Sequence, residues 1–180
     1  MSYLSHTIAQ SDPSLQELME KIKNAPSLAL LILAALQLGR MVAVKVAEEI
    51  RDRAHFFVFL DTIRHVYRSG RVPKIASQVG SMLNVRPVLT TASGVMHFVG
   101  VVRNKKHGIE RLLKIMRDKA GAKPVHVAVT HAYAPADAEA LKERIEREFN
   151  CAEIWVSEFS PLMGYACGTG ALGIAFYCDK

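Results

Sequence analysis

The hydrophobic pattern of this 180-residue chain changes near His55, and this change constrains the fold more than any other feature. Before that point the patterns are helical only. After it, short apolar runs typical of buried strands, beginning with residues 56–60, alternate with amphipathic stretches typical of helices. Since strands that alternate with helices build layered α/β domains, we predict a helical segment over residues 1–55 and an α/β domain over residues 56–180.

The helical segment contains an apolar helix that needs cover on all sides. Predicted helices in this segment cover residues 14–24, 27–38 and 41–53, and Gly39 is expected to end the second of them. The run from Leu28 to Leu36 has nine apolar residues, fewer than the roughly 20 that a helix needs to cross a bilayer. We therefore predict a buried helix over residues 28–38 and no membrane span.

The α/β domain contains six predicted strands and four predicted helices. The strands cover residues 56–60, 87–91, 95–102, 125–130, 153–159 and 172–178, and the helices cover residues 62–68, 74–83, 105–119 and the stretch that ends at residue 149. A glycine-rich loop is predicted between the last two strands. Half of all residues are hydrophobic, which is enough to bury one core and excludes a disordered chain.

The net positive charge of the chain comes from its middle third. The formal net charge is +6, and residues 1–60, 61–120 and 121–180 carry 0, +9 and −3 respectively. Such a basic stretch indicates an anionic partner, and nucleic acid is one hypothesis. Few aromatic residues lie between these cations and no nucleic-acid-binding motif is present, so we expect no nucleic-acid partner.

Cysteine and histidine spacing predicts neither a metal site nor a cofactor. Cys151, Cys167 and Cys178 are an odd number without a CxxC pair, which argues against a disulfide framework and a structural zinc site and favours a reducing cytoplasm. The seven histidines lack HxH or HExxH spacing. The first residues lack the pattern of a signal peptide, and no catalytic motif is present, so we expect a cytoplasmic protein that is not an enzyme.

Residues 168–173 match the pattern G-x-G-x-x-G, which binds dinucleotides when it joins a strand to a helix. Here the motif precedes a predicted strand, so we discard the nucleotide interpretation. Two interpretations stay open: a tight glycine turn between strands, or a loop over residues 164–173 that brings bare backbone close to a ligand.

Arg71 and Arg103 are the candidate anion-binding residues of the basic third. Arg103 stands before Asn104 and two lysines, where a predicted strand ends and a helix begins, and backbone amides at a helix start favour an anionic group. Arg71 lies in a predicted Ser-Gly-Arg turn. A solvated helix cap is the alternative interpretation of either arginine.

Three stretches of the sequence together resemble the DegV family of fatty-acid-binding proteins. They read FLDTI at residues 59–63 with SGRV at 69–72, GSMLNVRPVL at 80–89, and GYACGTGALG at 164–173. The resemblance runs from about Ser27 to the C-terminus. It implies the second domain of that family, a mixed β-sheet covered by helices, preceded by a helical remnant of the first domain.

The resemblance implies a function and a set of ligand-binding residues. Family members enclose a long-chain fatty acid in an apolar tunnel, have no catalysis of their own, and can present the acyl carboxylate to a separate fatty acid kinase. Carried over to this chain, the implied ligand-binding positions are Arg71, Arg103, Gly164, Ala166, Cys167, Gly168 and Gly170. The two arginines fall where the family uses arginine for the head group or the kinase.

One departure from the family weakens the implied head-group site. Ala166 stands where the family usually has a histidine, so a hydrogen bond to the carboxylate is missing. Such a bond contributes about 1.5–3 kcal/mol, whereas each buried CH₂ contributes about 0.8 kcal/mol. We therefore expect chain binding to survive and kinase-linked transfer to suffer more. The alternative is a non-catalytic interaction or oligomerisation module that pairs through the apolar helix at residues 28–38.

Overall fold

A computed structural model describes residues 13–23, 28–68, 86–92 and 95–179 of the chain. The helices are α1 Pro13–Lys23, α2 Leu28–Arg53, α3 Arg64–Arg68, α4 Lys105–Ala120, α5 Pro135–Glu148 and α6 Pro161–Cys167. The strands are β1 His55–Phe59, β2 Arg86–Ala92, β3 Val95–Val102, β4 Val125–His131, β5 Cys151–Glu158 and β6 Leu172–Cys178. The predicted helix over residues 74–83 lies outside the described residues.

The chain divides into two compact units, Met1–Arg53 and Ala54–Lys180. In the first, α1 contacts α2. The expected break at Gly39 is wrong, because α2 is a single helix of 26 residues that continues through this glycine. A glycine inside a helix costs about 1 kcal/mol relative to alanine, which the good helix formers on both sides offset. No helix among the described residues is long and apolar enough to cross a membrane.

The second unit contains one mixed sheet of six strands in the order β3-β2-β1-β6-β4-β5. Only β4 and β5 are parallel, and the other neighbouring strands are antiparallel. The helix α5 supplies the crossover that a parallel pair needs. The predicted α/β fold with a mixed sheet covered by helices is confirmed.

One face of the sheet, which we call the helix face, is closed by α4 and α5. Side chains from all strands except β3 and β5 are fully buried there with Leu112, Leu113 and Met116 of α4 and Leu141 and Ile145 of α5. In each of the two helices, apolar residues three or four positions apart therefore face the sheet. At Gly108 the backbone of α4 approaches the Phe59 ring so closely that a Cβ would overlap it.

The opposite face, which we call the second face, carries a separate and smaller apolar cluster. Its buried members are Val58, Leu60, Val66, Leu89, Ala132, Cys167 and Ala171, with Phe56, Ile63, Met96, Phe98 and Phe159 partly buried beside them. The helices α3 and α6 contact each other and contribute Val66 and Cys167 to it. Small residues lie on this face of β6 and β4, where Ala175 is paired with Ala128 and Gly173 with Thr130.

Candidate functional site

Several chain segments meet at one end of the sheet, which we call the glycine end. The strands β1, β3, β4 and β5 finish there, and β2 and β6 begin there. Backbone hydrogen bonds hold the segments together: Gly170 N donates to Ala132 O at 2.9 Å, and Ala132 N donates to Ala171 O at 3.0 Å. The loop after β4 and the glycine loop before β6 are therefore fixed to each other.

The predicted glycine loop is in part a helix. Ser160 caps α6 by accepting a hydrogen bond from Met163 N, and Pro161 occupies the first turn. The short helix holds Gly164, Ala166 and Cys167, and the chain leaves it at Gly168. The expectation of a loop from residue 164 is wrong, because the serine cap followed by proline is a helix-start signal that the glycines obscured.

Gly168 and Gly170 are glycine for conformational reasons. Both have a left-handed backbone, with φ of +80° and +81°, a region that residues with a Cβ rarely adopt. A Cβ at Gly168 would lie 2.9 Å from Cγ and Nε2 of His65 and still closer to the nearest ring carbon. The imidazole on α3 therefore packs directly on the bare backbone of the glycine loop.

A pocket of about 350 Å³ opens at this contact. The described residues that line it are His65, Tyr133, Pro161, Gly164, Tyr165, Gly168 and Thr169. Tyr133 has a positive φ of 52°, and its ring carbon Cε2 would lie 3.5 Å from a Cβ at Gly164. The pocket volume falls within the roughly 300–1,000 Å³ of small-molecule sites.

Apolar side chains of the pocket rim are unusually exposed. Tyr133 is 64% exposed, Tyr165 70% and Leu162 66%, and Met163 lies next to them on α6. Large apolar side chains grouped at a pocket mouth are typical of surfaces that a ligand or partner covers. Residues 132–134 and 160–165 thus present an apolar rim around the opening.

Beneath the pocket lies the second face of the sheet. Cys167 is 3% exposed and belongs to its apolar cluster, and burial raises the pKa of its thiol. The Phe56 and Phe159 rings meet edge to face on this side with their centroids 6.5 Å apart. The pocket, whose lining includes the polar side chains of His65 and Thr169, therefore adjoins an apolar sheet face.

One buried hydroxyl interrupts this surface. Thr130 Oγ1 is buried without a hydrogen-bond partner among the described residues, and it would lie 2.5 Å from a Cβ at Gly173. A buried hydroxyl without a partner costs free energy. The absence of a side chain at Gly173 leaves the room that this hydroxyl occupies.

Arg103 lies at the glycine end but outside the pocket lining. Its carbonyl accepts a hydrogen bond from Arg86 Nη1 at 3.2 Å, and Arg86 Nε pairs with Asp61 Oδ1 at 2.6 Å. Asp61 in turn lies beside Gly170. The Arg103 side chain is exposed on the β3 side, three strands from β6, which is about 14 Å at a strand spacing of roughly 4.8 Å.

The helix start after Arg103 is capped internally. Asn104 Oδ1 accepts from His107 N at 2.9 Å, and Lys105 pairs with Asp137 of α5. Those groups therefore serve the helix cap and the contact between α4 and α5, which is the alternative that the sequence left open. Arg103 and Lys106 stay exposed at this corner.

The other predicted site residues divide between the pocket and its surroundings. Gly164 and Gly168 line the pocket, whereas Gly170 lies beside Asp61. Ala166 is partly buried in α6 and is not among the lining residues. Arg71 lies outside the described residues, as do the side chains of residues 28–38, so the roles predicted for them stay predictions.

Two pocket residues, His65 and Tyr133, were missed at the level of sequence. His65 is 103 positions from Gly168 along the chain, and no local spacing connects them. Tyr133 follows a strand in a short loop, and only its positive φ marks it. No group of histidine, cysteine and acidic residues among the described residues could hold a metal ion.

Comparison with known sequences identifies the family. The protein-family sequence model described as "Uncharacterised protein, DegV family" matches residues 41–179 of this chain. DegV domain-containing protein SCO2569 of Streptomyces coelicolor is 35% identical over 133 residues, which cover 73% of this chain and 47% of that protein. Protein DegV of Bacillus subtilis is 28% identical over 138 residues, covering 76% and 49%. The chain spans about half the length of the curated relatives it matches.

Solved structures show the same fold. DegV of Bacillus subtilis, described as a fatty acid binding protein, superposes with a TM-score of 0.64 at 25% identity and covers 90% of this chain and 54% of its own. The fatty acid kinase B3 protein of Streptococcus pneumoniae, loaded with linoleic acid, has a TM-score of 0.64 at 17% identity, covering 92% and 54%. The family match over residues 41–179, together with this shared fold, shows that the chain belongs to the DegV family.

Proposed function

We propose that this chain binds the acyl chain of a long-chain fatty acid or similar lipid, with the head group at the glycine-end pocket. The observation that carries the proposal is that this pocket adjoins an apolar sheet face. Cys167 and Val66 lie in the apolar cluster of the second face, and their neighbours Gly168 and His65 line the pocket. A pocket with a few polar side chains beside an apolar surface matches the two ends of a fatty acid.

The energetics favour recognition of the chain over recognition of the head group. Each buried CH₂ contributes about 0.8 kcal/mol, so a long chain supplies roughly 10 kcal/mol before the costs of binding. A hydrogen bond to a charged group contributes about 1.5–3 kcal/mol. The helix face is closed by α4 and α5, so the second face, with its small residues Gly173 and Ala175, is the better surface for an acyl chain.

The experiment compares two alanines that receive the same added side chain. Ala175→Leu places an isobutyl group on the second face, and Ala140→Leu places one on the exposed side of α5. The protein is delipidated and titrated with a fluorescent fatty acid, and lipid from the untreated protein is identified by mass spectrometry. We expect saturable binding, a weaker affinity for Ala175→Leu, and no change for Ala140→Leu. Absence of both saturable binding and co-purified lipid would contradict the proposal.

We further propose that the bound head group is presented to a kinase-like partner at the glycine end. Two observations support this: the pocket opens beside an apolar rim, and the exposed Arg103 and Lys106 lie at the same end of the sheet. The fatty acid kinase B3 protein of Streptococcus pneumoniae shares the fold of this chain, and this shared fold is the reason for choosing a fatty acid kinase as the partner to test. The test is phosphorylation of bound fatty acid by an added fatty acid kinase, with Arg103→Ala compared against Arg111→Ala on the exposed side of α4.

A further inference from the structure

The pocket contains an imidazole whose ring nitrogens have no partner among the described residues. His65 forms no hydrogen bond or ion pair with the described residues, although it is partly buried and packs against Gly168. Polar side chains that are partly buried usually have a partner. The His65 ring is held by its contact with Gly168, and its nitrogens are free of partners among the described residues. It is therefore suited to form a hydrogen bond with a ligand in the pocket.

The charges of the pocket lining restrict which ligand group fits. Of the described lining residues, none is lysine, arginine, aspartate or glutamate, and the polar side chains are His65, Tyr133, Tyr165 and Thr169. Phosphate groups are usually bound by arginine or lysine. A carboxylate needs fewer donors, and a hydrogen bond to a charged acceptor is roughly twice as strong as a neutral one. His65 can supply an N–H donor from a partly buried ring, whereas the other polar lining residues are exposed.

We propose that the His65 imidazole hydrogen-bonds the carboxylate of the bound acyl chain and selects it over an uncharged head group. This assignment rests on the proposed function. Gly168 makes it possible, because any Cβ at that position would overlap the ring. The chain therefore has a head-group donor on α3 although Ala166 supplies none from α6.

The test measures the preference of the protein for acid over alcohol. A saturated fatty acid and the fatty alcohol of the same length are titrated against the wild-type chain, His65→Phe and His97→Phe. Phenylalanine keeps the apolar contact with Gly168, and His97 is an exposed histidine on β3 that serves as the control. We expect His65→Phe to lose about tenfold in affinity for the acid and to keep its affinity for the alcohol. His97→Phe is expected to keep the wild-type affinity for both.

A spectroscopic measurement tests direct contact. With ¹⁵N-labelled histidine and a fatty acid ¹³C-labelled at the carboxyl carbon, the His65 ring nitrogens and the carboxyl carbon are expected to shift together on binding. His65→Gln, which retains a donor, should keep part of the acid preference and replaces His65→Phe if that variant does not fold.

The outcomes separate this inference from the proposed function. If the wild-type chain binds neither acid nor alcohol, the proposed function fails. If it binds both, and both His65 variants keep the wild-type preference for the acid, the acyl site stands and the role of His65 is overturned.

Discussion

The two faces of the sheet differ in how completely they are closed. On the helix face, buried side chains of six elements pack together, and Leu112, Met116 and Ile145 are fully buried among them. On the second face, Phe56, Met96 and Phe98 are only partly buried, and the pocket adjoins the cluster. Among the described residues, one face is thus tightly packed, whereas the other is packed less completely and is the face to which we assign the proposed acyl chain.

The sharpest test of this comparison replaces the same residue type on each face. Met116→Ala on the helix face is expected to lower the free energy of unfolding by about 2–5 kcal/mol, because a fully buried side chain leaves a cavity. Met96→Ala on the second face is expected to cost only about 1 kcal/mol, since its side chain is partly exposed. Urea denaturation measures both. Equal losses would show that the second face is as closed as the helix face.

The next effect concerns the contact that shapes the pocket. Gly168→Ala is expected to destabilise the protein by about 1–3 kcal/mol and to weaken acyl binding, because the left-handed backbone is strained with a Cβ and the added methyl displaces His65. Gly39→Ala in α2 is the control, since an added Cβ there meets no atom within 4 Å. Thermal unfolding and the fatty acid titration provide the readouts. An unchanged affinity for Gly168→Ala would separate the pocket from binding.

A smaller effect of opposite sign is expected at Thr130. Thr130→Val removes a buried hydroxyl that has no partner among the described residues, so the free energy of unfolding should rise by about 1 kcal/mol. Thr90→Val is the control, because the Thr90 hydroxyl donates to Phe56 O at 2.7 Å and its loss should destabilise. If Thr130→Val instead destabilises the protein, the Thr130 hydroxyl forms a hydrogen bond in solution, and the second face contains a polar interaction that contradicts its description as apolar.

The smallest effect lies on the outer side of the helix face, where Arg144 bridges two helices. Arg144 Nη1 pairs with Glu110 Oε1 at 2.5 Å and holds the pKa of that carboxyl below its ordinary value of 4.5. A lowered folded-state pKa means that the stabilisation is present above pH 4.5 and is lost as the pH falls through the folded-state value. Because the pair is partly exposed, Glu110→Gln should cost only about 0.2–1 kcal/mol at pH 7.

The measurement is the pH dependence of urea midpoints between pH 7 and pH 3. Glu110→Gln should remove part of the acid-induced loss of stability, and Glu143→Gln, an exposed glutamate on α5, should leave it unchanged. A loss of stability on raising the pH through this window would contradict the direction of the shift.

The strand and helix pattern made much of the fold predictable from the sequence. Val125, Val127 and Val129 alternate with less apolar residues, and this period of two is a local property of a strand with one closed face. The parallel pairing of β4 with β5 was not predicted, although the helix between them is the crossover that such a pair needs.

The sequence by itself determined most of the elements and the family resemblance, because periodicity and motif spacing are local, but it missed α6 and the continuation of α2 through Gly39. Only the tertiary structure brought His65 against Gly168 and left Thr130 beside Gly173. It also showed that Arg103 lies apart from the pocket, three strands from the glycine loop. These contacts join residues far apart in the chain, and strand order decides them, because a sheet places neighbours by hydrogen-bond pairing rather than by distance along the sequence.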